Sequence, residues 1–189
     1  MRIISGDFGG RTIRSVSGPG YRPATAKVRG AVFSMLEARG LDWQGLSVLD
    51  LFAGSGSLAL EALSRGAAFA AFVELNRKAA SCIEGNLKDL GLGRSRARVH
   101  PVDLFKLLAG PADRGYGLVF IDPPYGKDLL APALQQALSG GWMAPGAFVL
   151  AEIEARLALD PEAVHPELEL VADRSYGQTR IVLWKTASK

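Results

Sequence analysis

Cysteine, histidine and long apolar runs are scarce in this sequence of 189 residues. Cys82 is the only cysteine, which excludes an internal disulfide, and with two histidines the chain has too few soft ligands for a zinc site. The longest apolar run, residues 67–73, has seven residues, far fewer than the roughly 20 that cross a bilayer. The first ten residues lack the apolar segment of a signal peptide. We therefore expect a cytoplasmic protein without a membrane span or a bound metal.

The composition is that of an ordinary globular protein, with 48% hydrophobic and 22% charged residues. The net charge of +3 is distributed unevenly, because residues 1–40 hold seven basic and two acidic side chains and the rest of the chain holds 15 and 17. The basic ones are Arg2, Arg11, Arg14, Arg22, Lys27, Arg29 and Arg39. A basic segment on a nearly neutral body is typical of a phosphate-binding surface, and equally of a solvated face with no partner.

The N-terminal part of the chain predicts a hairpin and then a helix. Two β-type stretches, Arg2–Ser5 and Thr12–Val16, flank the turn-rich DFGG, which favours a small β-hairpin. From Thr25 to about Ala38, apolar residues recur at i, i+4, i+7 and i+8, which predicts a helix with one apolar face that Gly40 ends.

Strands and helices alternate in the remainder of the chain. The β-type runs are 47–52, 69–74, 97–102, 118–122, 148–153, 168–173 and 179–184, and the helical stretches are 58–65, 77–90 and 129–138. Such alternation predicts an α/β fold with a doubly wound, mostly parallel sheet. The short turn at Tyr176-Gly177 makes the last two strands an antiparallel C-terminal hairpin.

A glycine loop follows the first predicted strand, in the stretch LDLFAGSGSLALEAL. Gly54 and Gly56 allow a tight turn and a close ligand, and a helix begins at about Leu58, so its N-terminus points at the same place. The string fits G-x-G-x-x-A, a nucleotide-binding pattern that is weak evidence alone because glycines in such a turn are often purely steric.

Acidic residues stand at the carboxyl ends of the predicted strands, where ligands of parallel sheets bind. Glu74, 18 positions after Gly56, suits the two ribose hydroxyls of an adenosine. Asp50 beside the glycine loop would repel a pyrophosphate and would tolerate a sulfonium, which favours S-adenosylmethionine over a nicotinamide dinucleotide. Asp103 suits an adenine amino group or, as an alternative, an N-cap for the helix that follows it. The neighbouring Phe52, Leu75 and Leu104 complete the expected cofactor site.

The stretch LVFIDPPYGK ends the fourth predicted strand on an acid, two prolines and an aromatic residue. Asp122 and the carbonyl of Pro123 can accept the two N–H bonds of a nucleobase amine and stabilise the charge that develops on its nitrogen. Pro123 and Pro124 fix the loop and remove two donors, and Tyr125 offers a face on which the base can stack. The alternative is that the prolines merely end the strand and Tyr125 packs on the core.

Several stretches together resemble the bacterial small-subunit ribosomal RNA guanine-N2 methyltransferase family. They are RIISGDFGGRTI, RPATAKVRGAVFSML, DLFAGSGSLALEALSRGA, FVELN, VFIDPPY and YGQTRIVLW, and they span Arg2 to Trp184. D-P-P-Y is shared with DNA adenine-N6 methylases, so the N-terminal segment is the more discriminating part. Ala24 and Gly30 depart from the pattern, where a Thr and an acid are usual.

The resemblance implies a class I methyltransferase fold in residues 24–189 with a basic hairpin extension in residues 1–23. It implies S-adenosylmethionine as methyl donor, S-adenosylhomocysteine as product, and a guanine of 16S rRNA within a partly or fully assembled 30S subunit as the target of a monomeric enzyme. Gly54, Gly56, Glu74 and Asp103 would then hold the cofactor, and Asp122, Pro123 and Tyr125 the amine. Arg2, Arg11, Arg14, Arg22, Lys27 and Arg29 would meet RNA phosphates.

Three other functions are compatible with parts of the sequence. A DNA adenine-N6 methylase would share D-P-P-Y, but the chain has little room for a separate target-recognition domain. A dinucleotide-dependent oxidoreductase would need a proton-handling constellation such as Tyr-x-x-x-Lys, which is not evident. A non-catalytic RNA-binding module would retain the fold and lose cofactor binding.

Overall fold

The computed structural model describes residues 1–16 and 25–188. In these residues five helices alternate with the strands of one seven-stranded sheet. The elements are α1 Ala26–Ala38, β1 Ser47–Asp50, α2 Ser57–Ser64, β2 Phe69–Val73, α3 Arg77–Asp89, β3 Ala97–His100, α4 Leu104–Leu108, β4 Tyr116–Ile121, α5 Leu130–Ser139, β5 Met143–Glu154, β6 Leu168–Tyr176 and β7 Thr179–Thr186. The predicted α/β class is confirmed.

The strand order is β3-β2-β1-β4-β5-β7-β6. The strands from β3 to β5 in this order are parallel, and β7 runs antiparallel to both β5 and β6. The predicted antiparallel hairpin at the C-terminus is therefore confirmed. The order reverses between β1 and β4, and in open parallel sheets the ligand crevice opens at such a switch point, at the carboxyl ends of the strands.

The two faces of the sheet carry separate helix layers because alternate residues of a strand point to opposite faces. Val48 of β1 packs in a cluster with α1, α2 and α3, whereas its neighbour Leu49 packs with α4 and α5. Both residues are fully buried, as are Leu118 and Val119 of the adjacent β4. The central strands are thus apolar on both sides, which leaves their carboxyl ends as the place where polar side chains reach solvent.

The N-terminal segment forms less regular structure than the predicted hairpin. Its two halves run antiparallel, with a single isolated bridge between Arg2 and Thr12. The Ile3 N–H donates to the Arg11 carbonyl (3.0 Å), and Ile3 and Ile13 are each 2% exposed within the cluster that contains α1 and α2. The segment is therefore held mainly by burial against the helices.

Glu61 of α2 connects this segment to the sheet and its helices. Its side chain is 1% exposed and accepts the N–H groups of Ile4 (2.7 Å) and Ser5 (3.0 Å). Arg65, the C-cap residue of α2, donates to the same carboxylate at 2.9 Å. Because both backbone donors and the charge of Glu61 are satisfied together, we expect this contact to be rigid.

Two strands extend beyond their predicted ends. Strand β4 begins at Tyr116, and β5 begins at Met143, because the Tyr116 N–H donates to the Trp142 carbonyl (2.9 Å) and the two rings stack with centroids 6.2 Å apart. The sequence predicted these two strands only over 118–122 and 148–153. Helix α1 begins after its N-cap Thr25, as predicted.

Three features of the sequence prediction concern residues outside the described ranges: Arg22, Ala24, and the boundary between residues 23 and 24. Gly30 lies within α1, and a Cβ built there meets nothing within 4 Å. Among residues 1–16 and 25–188, no helix is both long enough and apolar enough to span a membrane.

Candidate active site

A cleft with a volume of about 1210 Å³ opens at the carboxyl ends of the central strands, at the switch point between β1 and β4. Most of the residues predicted for the cofactor and amine sites line it. These are Asp50, Phe52, Gly54, Glu74, Leu75, Asp103, Leu104, Asp122, Pro123, Pro124 and Tyr125. The fold thus brings together residues that are up to 75 positions apart in the sequence.

The floor of the cleft is acidic. On one face of each of four neighbouring strands, the buried apolar side chains are followed by a carboxylate. In β4, Leu118 and Phe120 point into the α1–α3 cluster, and Asp122 follows on the same side. The same alternation places Asp50 after Val48, Glu74 after Phe72, and Glu152 after Leu150. The strand register places Glu74, Asp122 and Glu152 at one level at the end of the sheet, and Asp50 two residues deeper, level with Phe72 and Phe120.

Asp50 is the most deeply buried of these acids, at 2% exposure. Its Oδ1 has no hydrogen-bond partner among the described residues. Burial, with the negative charge of Glu74 adding to it, raises the pKa of Asp50 to about 7, and the backbone N–H groups of Ala59 and Phe52 oppose the rise. A buried acceptor without a partner, in the wall of a cleft, is suited to a cationic or N–H-bearing ligand.

Glu74 ties the glycine loop to the end of β2. Its Oε2 accepts the Gly54 N–H (2.8 Å), and its Oε1 accepts the Asn76 N–H (2.7 Å). Each carboxylate oxygen has a second lone pair, so these bonds leave acceptor capacity on the side that lines the cleft. Glu74 therefore fixes the loop and remains available to hydroxyl groups of a ligand.

Gly56 differs from Gly54, because it does not line the cleft. It is the N-cap of α2 with a φ of 77°, and a Cβ there would lie 3.1 Å from a ring carbon of Phe72 and 3.2 Å from Ile83. A side chain at this position would be both conformationally strained and sterically crowded. The geometry thus gives Gly56 a packing function behind the loop.

Asp103 caps helix α4, as the N-cap interpretation predicted, and this leaves its second carboxylate oxygen for a ligand. Its Oδ1 accepts the N–H groups of Phe105 (2.9 Å) and Lys106 (3.2 Å). Across the same part of the cleft, Leu75 and Val102 are 67% and 38% exposed. Exposed apolar side chains on the wall of a cleft suit the flat faces of an aromatic ligand.

The D-P-P-Y loop rises from the end of β4. Asp122 is partly buried, and burial together with the charges of Glu152 and Asp50 raises its pKa well above the ordinary value. Pro123 is buried and Pro124 is exposed. Tyr125 is 37% exposed, and its hydroxyl lies 3.4 Å from Thr179 Oγ1 on β7, so the ring is held at the rim of the cleft and does not pack in the core.

Glu152 is a site residue that sequence reasoning missed. It lies on β5, is 5% exposed and lines the cleft, and burial raises its pKa to about 7. Its signal was present in the alternation of Phe148, Leu150 and Glu152, which repeats the pattern that leads to Asp122. It was overlooked because the β-type run continues to Ile153, so that the strand does not end on the acid.

The basic residues of the N-terminal segment fall into two groups. Arg2, Arg11, Arg14 and Lys27 are exposed, and Arg14 forms an exposed ion pair with Asp89 (2.7 Å). Arg29, in contrast, is 2% exposed and donates to the Arg2 carbonyl (2.8 Å), and burial lowers its pKa. The expectation that Arg29 meets phosphate therefore needs correction, because its guanidinium is used inside the protein.

The charge of the cleft suits a cationic cofactor better than a dinucleotide. The unpartnered Oδ1 of Asp50 and the acids near it attract a cation and would repel a pyrophosphate. Within the described residues, no group of three or more His, Cys, Asp or Glu side chains is arranged to hold a metal ion.

The sheet order, the glycine loop and the cleft at the switch point together define a class I S-adenosylmethionine-dependent methyltransferase fold. The chain belongs to the family described as Conserved hypothetical protein 95, whose sequence model matches residues 1–185.

Relatives with assigned names support this classification. Ribosomal RNA small subunit methyltransferase D of Escherichia coli is 37% identical over 159 residues, which cover 84% of this chain and 77% of that one. The Bacillus subtilis protein named "Putative rRNA methyltransferase YlbH" is 36% identical over 187 residues, 98% of each chain. The solved structure of "Putative methyltransferase yhhF" from Escherichia coli has a TM-score of 0.85 and 32% identity, and covers 100% of this chain and 99% of that one.

Proposed function

We propose that this protein transfers a methyl group from S-adenosylmethionine to the exocyclic N2 amine of a guanine in small-subunit ribosomal RNA. The names of the Escherichia coli and Bacillus subtilis relatives support ribosomal RNA as the substrate. The observation that carries the proposal is the placement of Asp122, Pro123 and Tyr125 on the same cleft as the unpartnered oxygen of Asp50.

Four residues are proposed to hold the cofactor. Asp50 pairs with its positive charge, Glu74 accepts its ribose hydroxyls, Asp103 accepts the adenine amino group, and Leu75 covers the adenine face. When bound, S-adenosylmethionine supplies an electrophilic methyl group and leaves as neutral S-adenosylhomocysteine once the N–C bond has formed and the S–C bond has broken. A bound cation would lower the raised pKa values of the buried Asp50, Asp122 and Glu152 and so favour their ionised forms at neutral pH.

Asp122 and the D-P-P-Y loop are proposed to hold the target amine. The Asp122 carboxylate accepts one N–H and the Pro123 carbonyl accepts the other, which directs the nitrogen lone pair into the cleft. Asp122 stabilises the positive charge that develops on nitrogen and takes up the proton that nitrogen loses. Tyr125 stacks on the base, which must leave its own stack to reach the cleft.

The exposed basic residues of the N-terminal segment are proposed to contact RNA phosphates. Arg2, Arg11, Arg14 and Lys27 are available for this, and Val16, at the end of the first described range, lines the cleft. The segment thus runs from a basic surface to the active site. We expect the enzyme to act as a monomer on 16S rRNA in a partly or fully assembled 30S subunit, in the cytoplasm.

The experiment that tests the proposal compares Asp122→Ala with wild type, using labelled S-adenosylmethionine and 30S particles that lack the methyl group. Loss of an acceptor for developing charge is expected to lower the turnover about 100-fold or more, while the calorimetric cofactor affinity stays within a few-fold of wild type. Asp128→Asn is the matched control, because Asp128 is exposed in the same loop and Asn tolerates its φ of 48°.

Two results would contradict the proposal. Unchanged turnover of Asp122→Ala would remove the amine-holding function from that carboxylate. Methylation of duplex DNA, with no labelling of 30S particles or 16S rRNA, would favour an adenine-N6 methylase. Mass-spectrometric mapping of the labelled nucleotide identifies the base and the methylated nitrogen.

A further inference from the structure

Glu152 is a buried carboxyl group that methyl transfer, as proposed above, does not require. It lines the cleft at 5% exposure, and the next residue of β5, Ile153, points to the opposite face of the sheet and packs in an apolar cluster. Within residues 1–16 and 25–188, no side chain or backbone donor forms a hydrogen bond or an ion pair with its carboxylate. Lys127 and Arg156 reach the same cleft but do not pair with it. An acid that is buried without a protein partner carries a desolvation cost that a ligand donor can offset.

Strand register sets Glu152 directly beside Asp122. Ile121 of β4 pairs with Ala151 of β5 in a parallel ladder, so the next residue of each strand is Asp122 and Glu152. Neighbouring strands lie about 4.8 Å apart, and paired residues point to the same face. Their charges influence each other, since Glu152 contributes to the raised pKa of Asp122. The two carboxylates therefore present acceptors side by side to one ligand edge.

The Watson–Crick edge of guanine matches two adjacent acceptors. It presents the N2 amine and, next to it, the N1–H, so that both positions donate. Adenine presents its N6 amine next to N1, which is an acceptor. Either base could offer its amine to Asp122, but only guanine offers a second donor at the adjacent position. An ionised carboxylate opposite the N1 lone pair of adenine would be repulsive.

We infer that Glu152 selects guanine by accepting the N1–H of the target base while Asp122 holds its N2 amine. This inference rests on the proposed function and adds a specificity residue to it. Apolar Ile181 lies opposite Glu152 on β7, so the second side of the carboxyl offers no competing donor. Sites that hydrogen-bond a substrate group reject analogues that lack it far more strongly than apolar pockets do.

The test changes the hydrogen-bonding group at N1 of the target base and, separately, the group that residue 152 presents to it. The RNA substrate carries either guanosine or 2-aminopurine at the mapped nucleotide; 2-aminopurine keeps the N2 amine but has an unprotonated N1. Wild-type kcat/KM is expected to favour guanosine by about 100-fold or more. Glu152→Gln presents an amide that can donate to an unprotonated N1. It is expected to lower kcat/KM for guanosine about 10- to 100-fold and to shift the preference at least about tenfold towards 2-aminopurine.

Glu154→Gln is the matched control, because Glu154 lies two residues further on the same face of β5 and also lines the cleft. The preference of Glu154→Gln between the two bases should equal that of wild type. 2-Aminopurine also lacks the O6 atom of guanine, but any effect of that loss is common to wild type and both variants, so the comparison between them reports on N1 alone. The affinity of Glu152→Gln for S-adenosylmethionine, measured by calorimetry, should stay within about threefold of wild type if the substitution acts on the base alone.

Three results would overturn the inference. Equal loss of activity on both bases in Glu152→Gln would give Glu152 a structural function only. A wild-type enzyme that methylates 2-aminopurine as fast as guanosine would show that the N1–H is not read, and this measurement needs no variant. Wild-type enzyme that methylates neither base, nor any small-subunit RNA, would overturn the proposed function together with the inference.

Discussion

Replacing Asp50 with Asn should stabilise the protein while it weakens cofactor binding. Asp50 has a pKa of about 7 in the fold against an ordinary value of 3.8. A carboxyl with a raised pKa favours the folded state when it is protonated, so its favourable effect is present below about pH 4 and is lost as the pH rises to 7. Above pH 7 the ionised, buried carboxylate destabilises the fold by a constant amount.

The size of this effect follows from the two pKa values. A rise from 3.8 to about 7 corresponds to about 4 kcal/mol at pH 8. Asn cannot ionise, and its amide oxygen can still accept the N–H groups of Phe52 and Ala59. Its NH2 group has no better partner than Oδ1 had, so we expect a net gain of about 2 to 4 kcal/mol at pH 8. At pH 4 the gain should be small.

Urea denaturation of wild type and Asp50→Asn, at intervals from pH 4 to 8.5, measures the difference in the free energy of unfolding. The difference should grow between pH 4 and 7 and then level off. The exposed Asp42→Asn serves as a control and should follow the wild-type profile. A constant difference at all pH values, or a variant less stable than wild type at pH 8, would refute the reasoning.

Three further predictions follow from the buried acids and the N-terminal segment. Affinity for S-adenosylmethionine should fall as the pH falls from 8 to 6, because the cation binds the ionised acids, and calorimetry in two buffers should detect proton release at pH 7; a flat pH profile would contradict this. Glu61→Ala should lower the free energy of unfolding, measured by urea titration, by about 3 to 5 kcal/mol, and it should speed amide hydrogen exchange in residues 1–16. The control Glu84→Ala, at an exposed position on α3, should change neither quantity. Gly6→Ala should prevent native docking of the segment, since its Cβ would lie 1.8 Å from the Ser64 carbonyl oxygen. A Cβ at Gly10 meets nothing within 4 Å, so Gly10→Ala should cost only about 1 to 2 kcal/mol of conformational strain. Similar melting temperatures for these two variants would show that the contact is not rigid.

The sequence was sufficient to predict the alternation of elements and the acids at the strand ends. Both are local signals: a buried parallel strand is a short apolar run, and Asp50, Glu74 and Asp122 follow such runs directly. The antiparallel placement of the last two strands came from the short turn between them. The sequence did not predict the position of β7 between β5 and β6, because the choice of neighbouring strand depends on tertiary packing.

Residues whose function depends on tertiary contacts were harder to interpret. Arg29 belongs to a basic stretch of sequence, but it is buried because its helix packs against the N-terminal segment. Gly56 fits a nucleotide-binding pattern, yet its lack of a side chain is needed where Phe72 and Ile83 approach. Glu152 was missed because neither its burial nor its register beside Asp122 is visible in one strand alone. The remaining site residues keep their proposed functions as predictions.

The attachment of the N-terminal segment has a consequence for how the chain is synthesised. Its backbone donors bind acceptors that appear much later in the sequence: the Ile4 N–H binds Glu61, 57 residues on, and the Arg14 N–H binds Asn86, 72 residues on. At about 5–20 residues per second, Arg14 is synthesised roughly 4 to 14 seconds before Asn86. Folding of this part must therefore wait for translation of α2 and α3, and a chain interrupted before Asn86 would leave Ile3 and Ile13 without their complete binding surface.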